Sequence, residues 1–308
     1  MSILFSQAVK NFKKYLKVER SYSSLTIKEY LNDLDMLYRY LKENLDYDDD
    51  FFVNDIEIYE IAEFLSDIIL EKNNKAITRN RKLYSIRSFF KFLVKYDYVN
   101  DNPTLKIESS KTEIRSEPIY LKLKEARKFI NIIQKKNNIN KFRDLAIVKV
   151  FLYAGLRVSE LANLNLKDID YTYKFIKFYG KGNKERIIPL HNDIINSIQN
   201  YLPERKKIKP KYEDARNALF LSRHGNRINV RTVQKMVKKY AREAGLKEAK
   251  NITPHKLRHT FASILYQKTK DIKVVQELLG HSNISTTQIY THTDIEQKKD
   301  AINEMPDL

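Results

Sequence analysis

One break organises this sequence. Asn102-Pro103 ends a run of helical patterning, and the stretch that follows, 106–118, is polar, aperiodic and closed by Pro118. Apolar residues recur at helical spacing on both sides of it. The expected organisation is therefore two mostly helical domains, 1–104 and 119–308, joined by a linker over 105–118. A length of 308 residues agrees, because a single small core does not grow to that size.

The patterns on either side differ. Before the break there are four helices. The first, near 3–17, spaces Leu4, Ala8, Phe12, Tyr15 and Leu16. The second starts after Ser23-Ser24 as N-caps and carries Leu25, Tyr30, Leu34, Leu37, Tyr38 and Leu41. The third and fourth lie near 55–70 and 76–96. After the break, helices are expected over 122–136 and 141–154. Two short apolar runs, 175–179 and 185–190, then flank a Gly-Lys-Gly turn and predict a β-hairpin. Helical patterns return over 191–201, 229–244, 253–268, 272–279 and 283–291, with a short amphipathic tail at 294–304. The fold class is mainly α, with a small antiparallel sheet in the second domain.

Charge separates the two halves functionally. The chain carries a net charge of +18, which points to a polyanionic partner; a merely solvated basic surface is the alternative. Residues 1–108 hold 17 bases and 18 acids, whereas 109–308 hold 40 and 21. Within the first domain, 43–71 has eleven acids and no base, and 72–106 has nine bases and two acids. One face is thus acidic, and the fourth helix, with Arg79, Arg81, Lys82, Arg87 and Lys91, is the part expected to meet DNA phosphates. The absence of cysteine excludes disulfides, thiolate metal sites and cysteine nucleophiles. There is no apolar run long enough for a membrane anchor, and the first residues read as an amphipathic helix rather than a signal peptide, so a cytoplasmic protein is expected.

Three clusters in the second domain carry chemistry. In Ala154-Gly-Leu-Arg157-Val-Ser-Glu160-Leu, Gly155 suits a helix break that exposes Arg157, with Glu160 on the same helical face. Such a pair taken alone is usually a surface ion pair. In Thr253-Pro-His255-Lys-Leu-Arg258-His259, Thr253 and Pro254 open a helix, and His255 and Arg258 share a face suited to a phosphate. His255 and His259 also have zinc-binding spacing, but Lys256 stands where a metalloprotease motif needs Glu. The third cluster runs from Leu278-Leu-Gly280-His281 to Tyr290.

These clusters, in this order, resemble the tyrosine recombinase (phage integrase) family, and especially its Xer-like members. The resemblance implies a SAM-like core-binding domain followed by a catalytic domain. It implies catalytic roles for Arg157, Lys181 (with Lys184 as a nearby rival), His255, Arg258 and His281, with Glu160 supporting Arg157 and Tyr290 as nucleophile. No signature position is substituted. His259, His191, His224 and His292 are read as structural.

The implied reaction suits these residue types. Two guanidiniums bind the nonbridging phosphate oxygens, so no metal or cofactor is expected. A phenol with a pKa of about 10 makes a better leaving group than an alkoxide, so the strand reseals without ATP. The implied partners are double-stranded DNA with an inverted-repeat core and a tetramer on it, of one chain or with a paralogue. The resemblance implies that the tail 294–308, through Ile295, Ala301, Ile302 and Met305, docks on a neighbouring protomer, with packing on its own chain or a frayed end as the alternative. Dimer resolution of chromosomes or plasmids and integration of a mobile element remain alternatives, and a type IB topoisomerase-like enzyme is a more distant one.

Overall fold

A computed structural model describes residues 2–45, 47–70, 76–111, 120–179, 185–280 and 292–307. The chain divides into two compact units, Met1–Ser116 and Glu117–Leu308, each with its own apolar core.

The first unit holds helices α1 (Phe5–Val18), α2 (Ser24–Leu45), α3 (Ile58–Leu70) and α4 (Ala76–Lys95). Helix α1 buries Ala8, Phe12 and Leu16 of the expected stripe, with Phe5 in place of Leu4, which is exposed as the residue before the helix. Helix α2 begins where Ser23 Oγ accepts the Thr26 N–H at 3.1 Å. The acidic loop before α3 has a local purpose. Asp50 takes the Ser6 N–H (3.2 Å) and hydroxyl (2.7 Å), placing a carboxylate on the unsatisfied N–H groups at the start of α1. Helix α4 is the keel: Phe89 sits edge-on to both Phe5 and Phe12, and Leu83, Ile86, Phe90, Phe92 and Leu93 are buried with it.

Two expectations about this unit need correction. First, α4 does not hold its cations out as a phosphate-binding row. Asp33 on α2 is only 1% exposed and gathers both Nη atoms of Arg81 (2.6 and 2.7 Å), Lys82 Nζ (3.0 Å) and Ser85 Oγ (2.7 Å). Lys82 is buried outright. Arg87 donates to the Thr104 and Ile107 carbonyls, and Arg79 donates to the Glu108 carbonyl. Of the five cations, Arg81 and Lys91 are exposed, Arg81 while still paired with Asp33. A buried carboxylate and free backbone carbonyls compete with solvent for these side chains, and composition cannot register that. Second, the residues expected to begin the linker belong to the first unit. Residues 103–106 form a 3-10 turn on α4, Ile107 enters the core, and Asn80 pairs with both the N–H and the carbonyl of Ser110.

The second unit contains α5 (Leu123–Gln134), α6 (Lys141–Ala154), α7 (Val158–Asn163), β1 (Ile169–Asp170), β2 (Phe175–Tyr179), β3 (Glu185–Pro189), α8 (Asn192–Lys206), α9 (Glu213–Asn217), α10 (Val230–Glu243), α11 (Pro254–Thr269), α12 (Ile272–Leu279) and α13 (His292–Asn303). Helix α6 is buried on nearly every face, with α5, α8 and α11 around it. Its buried polar groups are matched: Arg143 forks onto Asp144, which also accepts from Tyr240 Oη at 2.8 Å. The sheet order is β1-β2-β3, all antiparallel, with Ile176 opposite both Ile169 and Ile188. The two-residue β1 is too short for any period to reveal.

In the single chain the tail lies against its own second unit. Ala301, Ile302 and Met305 are buried in the core of their own second unit. Lys298 pairs with Glu277 at 3.0 Å, the Pro306 carbonyl accepts from Tyr153 Oη at 3.3 Å, and the Asp307 carbonyl accepts from Arg127. Its apolar residues find a matching surface on the same chain, and amphipathicity reads the same for a neighbouring protomer. Among the described residues no helix is long and apolar enough to cross a membrane.

Asp33 offers a direct test of the first unit. Replacing it by Ala strands the buried Lys82 ammonium and is expected to cost about 3 kcal/mol, read from urea unfolding midpoints. Asp35→Ala, which breaks an exposed pair with Arg39, should leave the midpoint essentially unchanged.

Candidate active site

The site is built where α6 stops. Gly155 ends that helix in the left-handed region (φ 60°), and a Cβ there would run into the Phe261 ring, so both its conformation and its space demand glycine. Arg157 then becomes the N-cap of α7 and Glu160 its third residue. Glu160 Oε2 accepts the Arg157 backbone N–H at 2.6 Å, and Oε1 accepts from Arg157 Nη1 at 2.8 Å. The three-residue spacing is thus the reach of a carboxylate back to its own helix start. It is not an ordinary surface ion pair: the Glu160 side chain is 7% exposed against 43% for Arg157.

Helix α11 brings the second arginine. Thr253 Oγ1 accepts the Lys256 N–H and Pro254 occupies the first turn, as the sequence predicts. One turn on, Arg258 is buried and donates to the Gly155 carbonyl (2.5 Å) and the Leu279 carbonyl (2.6 Å), with Glu160 Oε2 at 3.8 Å. Burial, followed by the nearby Arg157 charge, lowers the Arg258 pKa to about 10, against the pull of Glu160. It therefore stays charged at neutral pH.

A third guanidinium was not among the sequence candidates. Arg186 on β3 lies 3.6 Å from Glu160 Oε1 and donates to the Leu278 carbonyl at the end of α12. A signal for it existed. Strand alternation puts Arg186 on the same face as the buried Ile188, and a cation on a buried face implies a fixed partner. One carboxylate therefore serves three guanidiniums, and Arg157 is the most open of them to solvent. The excess positive charge favours an anion there, in fork geometry suited to phosphate.

His255 stands at the exposed start of α11, its Nε2 3.1 Å from His259 Nε2 and the two rings edge-on. Desolvation first, then the charges of Arg258, Lys256 and Arg157, hold its pKa below the ordinary imidazole value. Neutral imidazole is the form that can accept a proton. The same cationic surroundings oppose a metal ion on the His255–His259 pair, and no group of three metal-ligating side chains occurs among the described residues. A basic groove lined by Arg231, Gln234, Lys235, Lys238 and Thr253 adjoins the start of α11. Lys181 and Lys184 fall in 180–184, and His281 and Tyr290 in 281–291; these lie outside the described residues.

Comparison with known proteins agrees with this arrangement. Residues 120–297 match the phage integrase family, and residues 9–96 match the phage integrase N-terminal SAM-like domain. The chain belongs to the phage integrase family. It is a tyrosine recombinase, an enzyme that exchanges DNA strands through a phosphotyrosine link. Tyrosine recombinase XerC of Caldanaerobacter subterraneus subsp. tengcongensis is 39% identical, over 99% of this chain and 88% of that one. Tyrosine recombinase XerD of Oceanobacillus iheyensis is 35% identical, over 96% and 97%. Among solved structures, XerH site-specific recombinase in a post-cleavage complex with palindromic difH substrate is 25% identical, with a TM-score of 0.69, over 95% of this chain and 83% of that one.

The electrostatics of this recombinase site can be read directly. The His255 imidazole, followed by NMR, should titrate below an ordinary histidine, and Arg157→Ala should move it upward by removing one repelling cation. A downward or absent shift would contradict the arrangement.

Proposed function

We propose that this chain is an Xer-type recombinase acting on a short inverted-repeat core site, and that it resolves chromosome or plasmid dimers. Support comes from relatives named XerC and XerD that match over nearly their whole length, and from XerH, which is similar in both sequence and fold. On DNA the working unit is a tetramer, of this chain alone or with a paralogue, that exchanges strands in two steps through a Holliday junction. The protein acts in the cytoplasm.

The observation that carries the catalytic reading is the meeting of Arg157 and Arg258 at Glu160, with His255 within the field of both arginines and its pKa lowered by burial and by them. Arg157 and Arg258 take the nonbridging oxygens of the scissile phosphate and oppose the charge that builds on them. His255 accepts the proton of Tyr290 as its phenol oxygen attacks phosphorus. A 3′-phosphotyrosyl bond forms, the P–O5′ bond breaks, and Lys181 protonates the departing 5′ oxygen. His281 adds a hydrogen bond to the phosphate. Attack by a 5′-hydroxyl reverses these transfers and releases Tyr290, so the phosphodiester bond energy is conserved. The groove of Arg231, Lys235 and Lys238 continues the positive surface from the catalytic helix along a DNA backbone.

A nicked suicide duplex carrying the candidate core tests this reading. Wild type should give a covalent protein–DNA band on a denaturing gel that survives EDTA, and Tyr290→Phe should give none. Arg157→Ala should slow band formation by about 100-fold to 1,000-fold. An adduct formed by the phenylalanine variant would remove Tyr290 from the mechanism. Joined products from two duplexes separate recombination from relaxation of a single one, and the host sequence that is joined separates dimer resolution from mobile-element integration.

The pH profile provides a further check. With His255 as base, cleavage should fall on the acid side only below the ordinary histidine range, and His255→Gln should abolish that limb while lowering the plateau. An unchanged acid limb in the variant would assign the titration to another group.

A further inference from the structure

We propose that Arg186 is a positioning residue for strand cleavage: it pins Glu160 from the buried side and so holds Arg157 and Arg258 at the spacing one phosphate needs. The proposal rests on the reading of those two arginines as phosphate ligands.

Arg157 is the difficult part of the site. It is long and largely exposed, and such a side chain loses substantial rotamer freedom when it is held in one place. Its guanidinium is held by Glu160 Oε1, and Arg186 Nη1 approaches that same oxygen to 3.6 Å. Glu160 can orient Arg157 only if the carboxylate is itself fixed. Arg186 is well suited to fix it, because its guanidinium is itself held on several sides. Its guanidinium lies over the Phe178 ring, 5.1 Å from the centroid, and donates to the Leu278 carbonyl. It also presses on Gly280, where any Cβ would collide with Arg186 Cζ. Gly280 has φ 64°, so glycine is required there both by the backbone and by the arginine beneath it.

The second link is through α12. Arg186 takes the Leu278 carbonyl and Arg258 takes the next one, Leu279. Two guanidiniums therefore cap adjacent carbonyls at the C-terminus of one helix, where a cation is favoured. Arg186 thus touches both supports of the phosphate site, Glu160 beneath Arg157 and the α12 terminus beneath Arg258. It also ties β3 to them, and lysine cannot reproduce this bridge because one ammonium lacks the planar fork.

The test compares Arg186→Met and Arg186→Lys on a nicked suicide duplex, measuring duplex affinity by gel shift and adduct formation at saturating protein. Met is expected to leave affinity within about threefold of wild type while slowing adduct formation about 30-fold, the scale of one lost charge-assisted contact. Lys should recover part of the rate. Adding Glu160→Gln to Arg186→Met should cost little more than the worse single change, since the two act through one another. A wild-type rate in Arg186→Met, or a loss of affinity in proportion to rate, overturns the proposal. If circular dichroism shows that Met prevents folding, Lys decides: a slowed rate at normal affinity supports the proposal, and a normal rate overturns it. Arg157→Ala is run alongside. A full rate there removes the phosphate-ligand reading itself, whereas an inactive Arg157→Ala beside an unaffected Arg186→Met removes the role of Arg186 alone.

Discussion

The Glu160 carboxylate is the point on which the catalytic half of this recombinase turns. A phosphate-binding site needs several guanidiniums close together, and bringing them together without an anion is costly in a partly buried setting. Glu160 supplies one negative charge, shared by Arg157, Arg258 and Arg186, and leaves the cluster with surplus positive charge. It does so while closing the backbone of α7 on itself. The same carboxylate thus caps a helix and gathers the guanidiniums.

That arrangement depends on what surrounds it. Helix α6 is enclosed by α5, α8 and α11, which places Gly155 at the point where the chain must turn and where Arg258 needs a carbonyl. Arg258 is bonded to backbone carbonyls from two different segments, so its position records the packing of α6 against α11 and α12. The first unit uses the same device for another end. Asp33 collects Arg81 and Lys82 to bind α2 to α4, so one helix cation is buried in a fold contact and another is shared between that contact and solvent.

Much of this was legible in the chain. Most expected helices lie where the apolar period places them, though 283–291 lies outside the described residues and α7 and α9 had no periodic signal; the hairpin follows from two β runs about glycines, and the caps at Ser23 and Thr253 act as their residue types suggest. The association of Arg157, Glu160, His255 and Arg258 was legible because their order resembles a family. Nothing in their local patterns brings residues about a hundred positions apart together. What stayed hidden had specific causes. β1 is two residues long, Lys82 and Arg87 look like any surface cation until a buried acceptor is placed beside them, and an amphipathic tail does not name its partner.

The sequence by itself determined the two-domain division, the largely helical class and the ordered residue types by which the chain resembles its family, because these depend on local period and side-chain chemistry. The tertiary structure alone decided which charges are paired internally and that Arg186 lies beside Glu160. Each of these depends on a partner distant in sequence. Whether a cation meets solvent, a carboxylate or a backbone carbonyl is decided by packing, and packing is the information a single chain of letters does not display.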